Sequence, residues 1–237
     1  MNIVVLIDYD NLHDAQKISG VLDVVTKVLM QQPKHDLPLH GVCEIRIYGG
    51  WYEGELMSKL AQDVSVEIQD TFPSIIRVPA TNGEKVNYAA NAEIALALME
   101  EPAHHLLNTY RKKGKPRNVR VKRPSEIGCT DSECILPKVR KILKTGSCSK
   151  TGCSVAGEEV VYRHEQKIVD TMLTCDLLYL SSQRYDHIIL VSGDDDFLPP
   201  LRTLLLRGSV VTRVHPKTNN QRLPVSVSDS ILVELEL

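Results

Sequence analysis

The chain has 237 residues, 43% of them apolar and 24% charged, so it can bury one substantial core or two small ones. The formal net charge of −2 indicates no class of binding partner. No apolar stretch is long enough for a membrane span, and the run at residues 3–7 is too short for a signal sequence. Six cysteines without an export signal favour a reducing, cytoplasmic compartment, and metal ligands or buried thiols rather than disulfides.

The first half of the chain predicts alternating strands and helices. The apolar residues 3–7 predict a buried strand that ends at Asp8 in an Asp-Tyr-Asp-Asn sequence. Apolar residues at helical spacing, including Ile18, predict a helix over residues 14–31, and Pro33 and Pro38 bracket a loop. The further predicted elements are strands at 42–48 and 75–78, a short helix at 54–62 and an Ala/Leu-rich helix at 87–101.

The second half returns to the same rhythm after an interruption. We predict a helix at 165–182, a strand at 188–191, a helix ending at Arg207, a strand at 210–214 and an edge segment at 231–235. This alternation indicates an α/β fold with a parallel sheet and helices on both faces. Residues 104–159 break the pattern and are interpreted as a cysteine-rich, basic insertion into a single domain spanning residues 1–237.

Two of the predicted strands end in acidic residues. Asp8 follows the first strand, and Ser192-Gly193 and then Asp194, Asp195 and Asp196 follow the strand at 188–191. If these strands are neighbours, their carboxylates converge at the sheet edge where α/β folds bind ligands. Adjacent carboxylates repel one another unless a cation lies between them. The alternative is a helix cap or an acidic first turn, which explains one or two of these residues better than three.

Asp170 is a third candidate, since it lies on a predicted helix and faces Lys167 rather than an apolar stripe. A solvated carboxylate on a helix face is the alternative. Three or four oxygen ligands suit Mg²⁺ or Mn²⁺, which can activate water and neutralise charge on a phosphodiester. Asp176 is interpreted as an N-terminal-facing helix residue or a salt-bridge partner rather than a metal ligand, and Trp51 as a packing residue rather than a platform for bases.

The interrupted segment begins with a basic run. Residues 111–123 contain eight cations and no acid, which leaves 20 basic against 30 acidic residues elsewhere. Such a run has the charge of a phosphate-binding arm, and a solvated loop is the alternative. The candidate phosphate contacts are Arg111, Lys112, Lys113 and Lys115.

Four cysteines follow the basic run in two equally spaced pairs. The pairs are Cys129 with Cys134 and Cys148 with Cys153, and each encloses four residues. This symmetry favours a structural Zn²⁺ site over free or disulfide-bonded cysteines. Between the pairs, residues 137–144 predict a short helix with inward Val139, Ile142 and Leu143 and outward Lys138, Arg140, Lys141 and Lys144.

These motifs, taken together and in order, resemble the NYN family of PIN-like ribonucleases over about two-thirds of the chain. The resembling sequences are IDYDN at residues 7–11, IRIYGGW at 45–51, QKIVD at 166–170 and SGDDDF at 192–197. The resemblance implies a PIN-like, Rossmann-like fold and metal-dependent cleavage of RNA. It assigns the metal and catalytic roles to Asp8, Asp170, Asp194 and Asp196, with Asn11, Ser192 and Lys167 binding substrate. The insertion departs from the family pattern.

Two other classes of function stay open at this stage. A non-catalytic nucleic-acid-binding or protein-interaction module could use the same fold, although carboxylates do not help to bind a polyanion. Asp8-Tyr9-Asp10 also resembles the start of a haloacid-dehalogenase-type phosphatase, but Leu12 and the prolines after Asp196 depart from that pattern. The sequence leaves open homo-oligomerisation, the choice between RNA and DNA, and whether one or two metal ions bind.

Overall fold

The computed structural model describes residues 1–32, 40–80, 84–113, 122–128, 130–148, 150–217, 226–227 and 230–237. Three features named above lie outside these residues. They are the predicted loop from Pro33 to Pro38, the basic residue Lys115 and the cysteine Cys129. The chain divides into two units, which are described separately below. Unit 1 comprises residues 1–109 and 167–237, and unit 2 comprises residues 110–166.

Unit 1 is built from strands and helices in alternation. Its strands are β1 (Asn2–Asp8), β2 (His40–Tyr48), β3 (Tyr52–Glu53), β4 (Leu56–Met57), β5 (Ser74–Pro79), β6 (Lys85–Ile94), β9 (His187–Val191), β10 (Val211–His215), β11 (Ser226–Val227), β12 (Ser230–Ile231) and β13 (Val233–Glu236). Its helices are α1 (Asp14–Ser19), α2 (Val21–Gln31), α3 (Lys59–Thr71), α6 (Val169–Leu180) and α7 (Leu198–Leu206).

A seven-stranded sheet in the order β13-β10-β9-β1-β2-β6-β5 organises unit 1. Every neighbouring pair in it is parallel except β5 and β6, which are antiparallel. The predicted α/β fold with a mainly parallel sheet is therefore confirmed, and β13 pairs with β10 at the edge predicted for the last apolar segment. The central position of β1 between β9 and β2 explains why its residues 3–7 are uninterruptedly apolar.

Alternate side chains of β1 enter two cores on opposite faces of the sheet. Ile3, Val5 and Ile7 pack in the first core with buried residues of α2 and α3. Val4 and Leu6 pack in the second with residues of α6 and α7. This alternation is the two-residue period of a strand, and it shows that helices cover both faces of the sheet.

Four predicted elements were wrong in type or extent. The helix predicted at 165–182 begins only at Val169, because residues 163–166 form a strand and Ile168, with a φ of 60°, is not helical. The predicted helix at 87–101 is instead β6, because pairing with β2 on one side and β5 on the other overrides the helix propensity of its alanines. The predicted helix at 14–31 is divided into α1 and α2 at Gly20, whose φ of 89° is not helical, and Ile18 is exposed. The short helix predicted at 54–62 begins only at Lys59, after the cap Ser58, and continues to Thr71.

Unit 2 contains β7 (Tyr110–Lys113), α4 (Leu136–Thr145), α5 (Gly157–Val160) and β8 (Arg163–Gln166). β7 and β8 form an antiparallel pair. α4 has a buried Leu143 and half-buried Val139 and Ile142, as its spacing predicted. It ends at Gly146, whose φ of 78° gives the left-handed conformation typical of a helix end. The Gly146 carbonyl oxygen accepts a hydrogen bond of 2.7 Å from Gly157 N.

Candidate active site

The carboxyl ends of β1 and β9 lie side by side, since Ile7 is paired with Val191. Asp8, the last residue of β1, is 3% exposed, and Ser192, just after β9, is buried. Asp8 Oδ2 accepts hydrogen bonds from Ser192 Oγ at 2.9 Å and from Asn11 Nδ2 at 2.5 Å. Both of these hydrogen bonds end on Oδ2, and neither involves the second carboxylate oxygen, Oδ1. One oxygen of the carboxylate is therefore held by two hydrogen bonds within the protein.

The electrostatic environment of Asp8 opposes its ionisation. Burial raises the pKa of this carboxyl to about 6, against the lowering effect of the hydrogen bonds from Ser192 and Asn11. The negative charges of Asp170 and Asp10 add to the rise. A bound cation would relieve both effects, because it stabilises the ionised form of every carboxyl around it.

Asp170 interacts electrostatically both with Asp8 and with the acids that follow β9. It lies in the first turn of α6, and burial and then the charges of Asp194 and Asp196 raise its pKa. The same residue contributes to the raised pKa of Asp8. Lys167, exposed, lies two residues before α6 and donates its backbone N–H to the Thr109 carbonyl oxygen at 2.9 Å. Asp170 is therefore close enough to Asp8, and Asp194 and Asp196 are close enough to Asp170, for their charges to affect one another.

Asp194 also has the helix-capping role that the sequence left as an alternative. Its Oδ1 accepts a hydrogen bond of 3.0 Å from Asp196 N, at the start of a 3₁₀ turn (Asp195–Phe197) that leads into α7. Its own N–H donates to Ser192 Oγ at 3.1 Å. Capping occupies Oδ1, so it is compatible with a ligand at the second carboxylate oxygen.

Arg213 is a residue of this region that the sequence reasoning missed. This arginine of β10 is 1% exposed. Its Nε donates to the Ser192 carbonyl oxygen at 3.1 Å, and both terminal nitrogens lie 3.0 Å from Asp195 Oδ1. Arg213 thereby holds the turn after β9 and accounts for the third aspartate. An arginine among the valines of the predicted strand 210–214 was the available signal, because a buried charge requires partners.

The aromatic residues near the end of β2 are packing residues. Trp51 is 1% exposed and its indole N–H donates to the Ile47 carbonyl oxygen at 3.2 Å. Tyr48 is buried and donates its hydroxyl to Asp176 Oδ2 at 2.7 Å, while Arg46 Nε lies 3.3 Å from the same oxygen. Asp176 is therefore the salt-bridge partner that the sequence predicted. Neither aromatic ring is available to stack on a base.

The donor set at the sheet edge fits a hard cation in its chemistry, since it consists of carboxylate oxygens with amide and hydroxyl neighbours. The described ranges contain no group of three His, Cys, Asp or Glu side chains positioned to hold a metal ion. Mg²⁺ often binds through one or two carboxylates and keeps several waters, so it does not require a closed three-residue cage. The residues therefore fit a site that water and substrate oxygens complete.

The remaining predicted site residues lie in unit 2. Arg111, Lys112 and Lys113 are in β7, so the basic run begins as a strand. Of the four cysteines, Cys134, Cys148 and Cys153 are described, and all three are half-buried free thiols. Two hydrogen bonds lower the pKa of Cys148. The larger effect comes from the bond with the Lys150 backbone and the smaller from the bond with the Cys153 side chain. The two thiols of the second pair are thus neighbours, but the three described cysteines do not together form a group positioned to hold a metal ion.

Fold and site together define a class: an α/β protein with a carboxylate cluster at the carboxyl edge of a mainly parallel sheet. Residues 104–232, more than half of the chain, match the sequence model of the NYN domain. The chain belongs to the NYN family, which confirms the resemblance seen in its motifs and indicates a nuclease-like, RNA-related function. The matched residues include Asp170, Asp194 and Asp196, whereas Asp8 precedes them.

Two other comparisons found no match, either among curated proteins or among solved structures. None of the helices in the described part of the chain is long and apolar enough to cross a membrane.

Proposed function

We propose that the protein is a metal-dependent endoribonuclease whose active site is the carboxylate cluster of unit 1. The observation that carries this proposal is the buried Asp8 carboxylate, with one oxygen held by hydrogen bonds and its pKa raised to about 6 beside further acids. Burial of a carboxylate next to like charges is unfavourable without a cation. Such an arrangement is typical of a functional site rather than of a structural one.

Each residue of the cluster has a proposed role. Asp8, Asp170, Asp194 and Asp196 would hold Mg²⁺ or Mn²⁺, which when bound supplies an activated water and neutralises charge on the scissile phosphate. Ser192 and Asn11 orient Asp8 through its Oδ2. Lys167, exposed before α6, binds a substrate phosphate. Arg213 positions the turn that carries Asp194 and Asp196. The expected products carry a 5′ phosphate and a 3′ hydroxyl.

Unit 2 has the proposed role of holding the RNA. Arg111, Lys112, Lys113 and Lys115 would contact backbone phosphates, which attract cations without regard to base sequence. A structural Zn²⁺ held by Cys129, Cys134, Cys148 and Cys153 would stabilise this unit, and the proximity of Cys148 and Cys153 supports that pairing. A purely RNA-binding module is the second candidate, but it leaves the buried acid of unit 1 without a purpose.

The test compares two neighbouring aspartates. Asp194→Asn removes a proposed ligand charge while keeping a good helix cap, so the protein should fold and its RNA cleavage should fall by several orders of magnitude. Asp195→Asn is the matched variant, because Asp195 is paired with Arg213 instead; it should retain cleavage within about tenfold. Single-turnover cleavage of labelled single-stranded RNA with Mn²⁺ measures both, with analysis of product ends. Equal rates for wild type and Asp194→Asn would contradict the assignment.

A further inference from the structure

Unit 2 contains a concave surface, here called the basic cleft, that none of the family motifs includes. It is formed by α4 and by the 3₁₀ turn at Pro124–Ile127, and it encloses about 620 Å³. Seven residues line it, and the polar groups among them are four cations and two hydroxyl groups beside the methylene stems of the long side chains. These residues are Arg123, Arg140, Lys141, Lys144, Ser125, Thr145 and Pro137.

The charge of the basic cleft is only partly balanced. Glu126 pairs with Arg123, whose Nε lies 3.2 Å from Glu126 Oε1 and whose backbone N–H donates to Oε2 at 2.6 Å. In the part of the chain that the structure describes, no carboxylate lies within salt-bridge distance of Arg140, Lys141 or Lys144. Four cations against one carboxylate leave an excess of three positive charges.

Helix stability does not account for this grouping. A cation in the last turn of α4 interacts favourably with the helix dipole, and Lys144 has that position. The same argument does not apply to Arg123, which lies outside the helix. Like charges three or four residues apart, as in Lys141 with Lys144 and Arg140 with Lys144, oppose helix formation. A bound anion would remove that repulsion.

We propose that the basic cleft binds two or more consecutive backbone phosphates of the RNA. A terminal phosphate monoester carries a charge of about −1.5 to −2, which is less than the excess charge of the cleft, whereas three successive phosphodiesters, with one charge each, match it. The described lining includes no aromatic side chain, so the cleft lacks a surface on which bases could stack. The binding is therefore independent of base sequence and strongly dependent on salt. The choice of RNA as ligand rests on the proposed function.

The test removes two cations that are exposed and lie on the cleft. Lys141→Ala with Lys144→Ala should flatten the slope of log affinity against log salt by about 1.4, since each lost contact to a single strand contributes about 0.7. Lys85→Ala with Lys138→Ala removes the same charge from exposed lysines outside the cleft and should leave the slope unchanged. The arginine replacements Lys141→Arg and Lys144→Arg should bind as wild type does. The measurement is fluorescence anisotropy of a short labelled RNA, without added divalent cation.

Each arm of the experiment has a deciding outcome. A loss confined to RNA bearing a 5′ phosphate, with no loss for 5′-hydroxyl RNA, would overturn the assignment to backbone phosphates. Lost binding of poly-glutamate with unchanged RNA binding would assign the cleft to an acidic protein instead. The cleavage test is separate: if RNA binds through the cleft but is not cut, the present inference stands and the proposed nuclease activity fails. If RNA is cut but the cleft variant binds as wild type does, only the present inference fails.

Discussion

The two units use charge in opposite ways. In unit 1, acids follow the ends of buried strands, and Asp8 is buried among apolar strands with a raised pKa. In unit 2, three of the four cations of the basic cleft project from the short helix α4, whose buried residue is Leu143. Charges at the end of a buried strand are positioned by the core and tied to its stability. Charges on an exposed helix face are positioned weakly and can change at little cost to folding.

This comparison gives separable expectations for stability and binding. Changes in the carboxylate cluster should alter both the stability of unit 1 and the cleavage rate. Changes in the basic cleft should alter RNA affinity and its salt dependence while leaving stability within about 0.5 kcal/mol. Three further experiments test the comparison.

The largest expected effect is the loss of structure in unit 2 when zinc is removed. Structural zinc contributes roughly 10–16 kcal/mol of apparent binding free energy in small zinc-binding peptides, and unit 2 has little other core. Elemental analysis should find about one Zn per chain, and Cys134→Ser should lower that content. Hydrogen exchange should then show loosened amides in residues 110–166 and unchanged ones in unit 1. Cys43→Ser, at a buried thiol of β2, is the control and should leave zinc unchanged. A zinc-free wild type with a stable unit 2 would refute the zinc site.

The second expectation concerns Asp8 and the pH dependence of stability without divalent cations. Below pH 3.8 the carboxyl is protonated in both the folded and the unfolded state, so it contributes nothing. Between 3.8 and about 6 only the folded state keeps the proton, so stability falls as pH rises through this window. Above about pH 6 the carboxyl is ionised in both states. The folded protein then loses about 3 kcal/mol of stability, because its Asp8 pKa lies about two above that of the unfolded chain.

Asp8→Asn should therefore raise the free energy of unfolding at pH 7 by up to about 3 kcal/mol, and the gain should vanish near pH 4. Glu53→Gln removes one charge from an exposed residue of β3 and should change stability by less than about 0.5 kcal/mol. Urea unfolding at several pH values measures both variants. A destabilised Asp8→Asn protein at pH 7 would show that the ionised carboxylate is favourable without a cation.

The smallest of the three effects is expected for Arg213. Arg213→Met leaves the Ser192 carbonyl oxygen without its donor and removes the arginine that lies 3.5 Å from the largely buried Glu234 carboxylate, which together should cost about 1–3 kcal/mol. The turn that carries Asp194 should also lose its position, so the cleavage rate at saturating RNA should fall. Arg184→Met makes the same substitution at an exposed position and should change neither quantity. If the Arg213→Met protein is destabilised but cleaves RNA at the wild-type rate, Arg213 stabilises the fold and does not position the active site.

The elements that the sequence predicted well are those whose composition suits only one structure. Residues 3–7 and 188–191 are short, apolar and followed by acids, and they became the adjacent strands β1 and β9. The family followed from motifs in these segments and in α6, and the domain match confirms it. The helix at 87–101 was wrong because alanine suits a helix by itself, whereas flanking strands turn the same residues into β6.

The acids could be named from the sequence, but their relationship to one another could not. Their position after strands and their number were enough to predict an edge cluster. Only the tertiary structure shows that Ser192 and Asn11 both bind the same oxygen of Asp8, and that Arg213 pairs with Asp195. The reason is physical: periodicity reports which side of one element is buried, whereas hydrogen-bond partners depend on how separate elements pair. Residues 8, 192 and 213 are distant in the chain and meet only because β1, β9 and β10 are neighbours in the sheet.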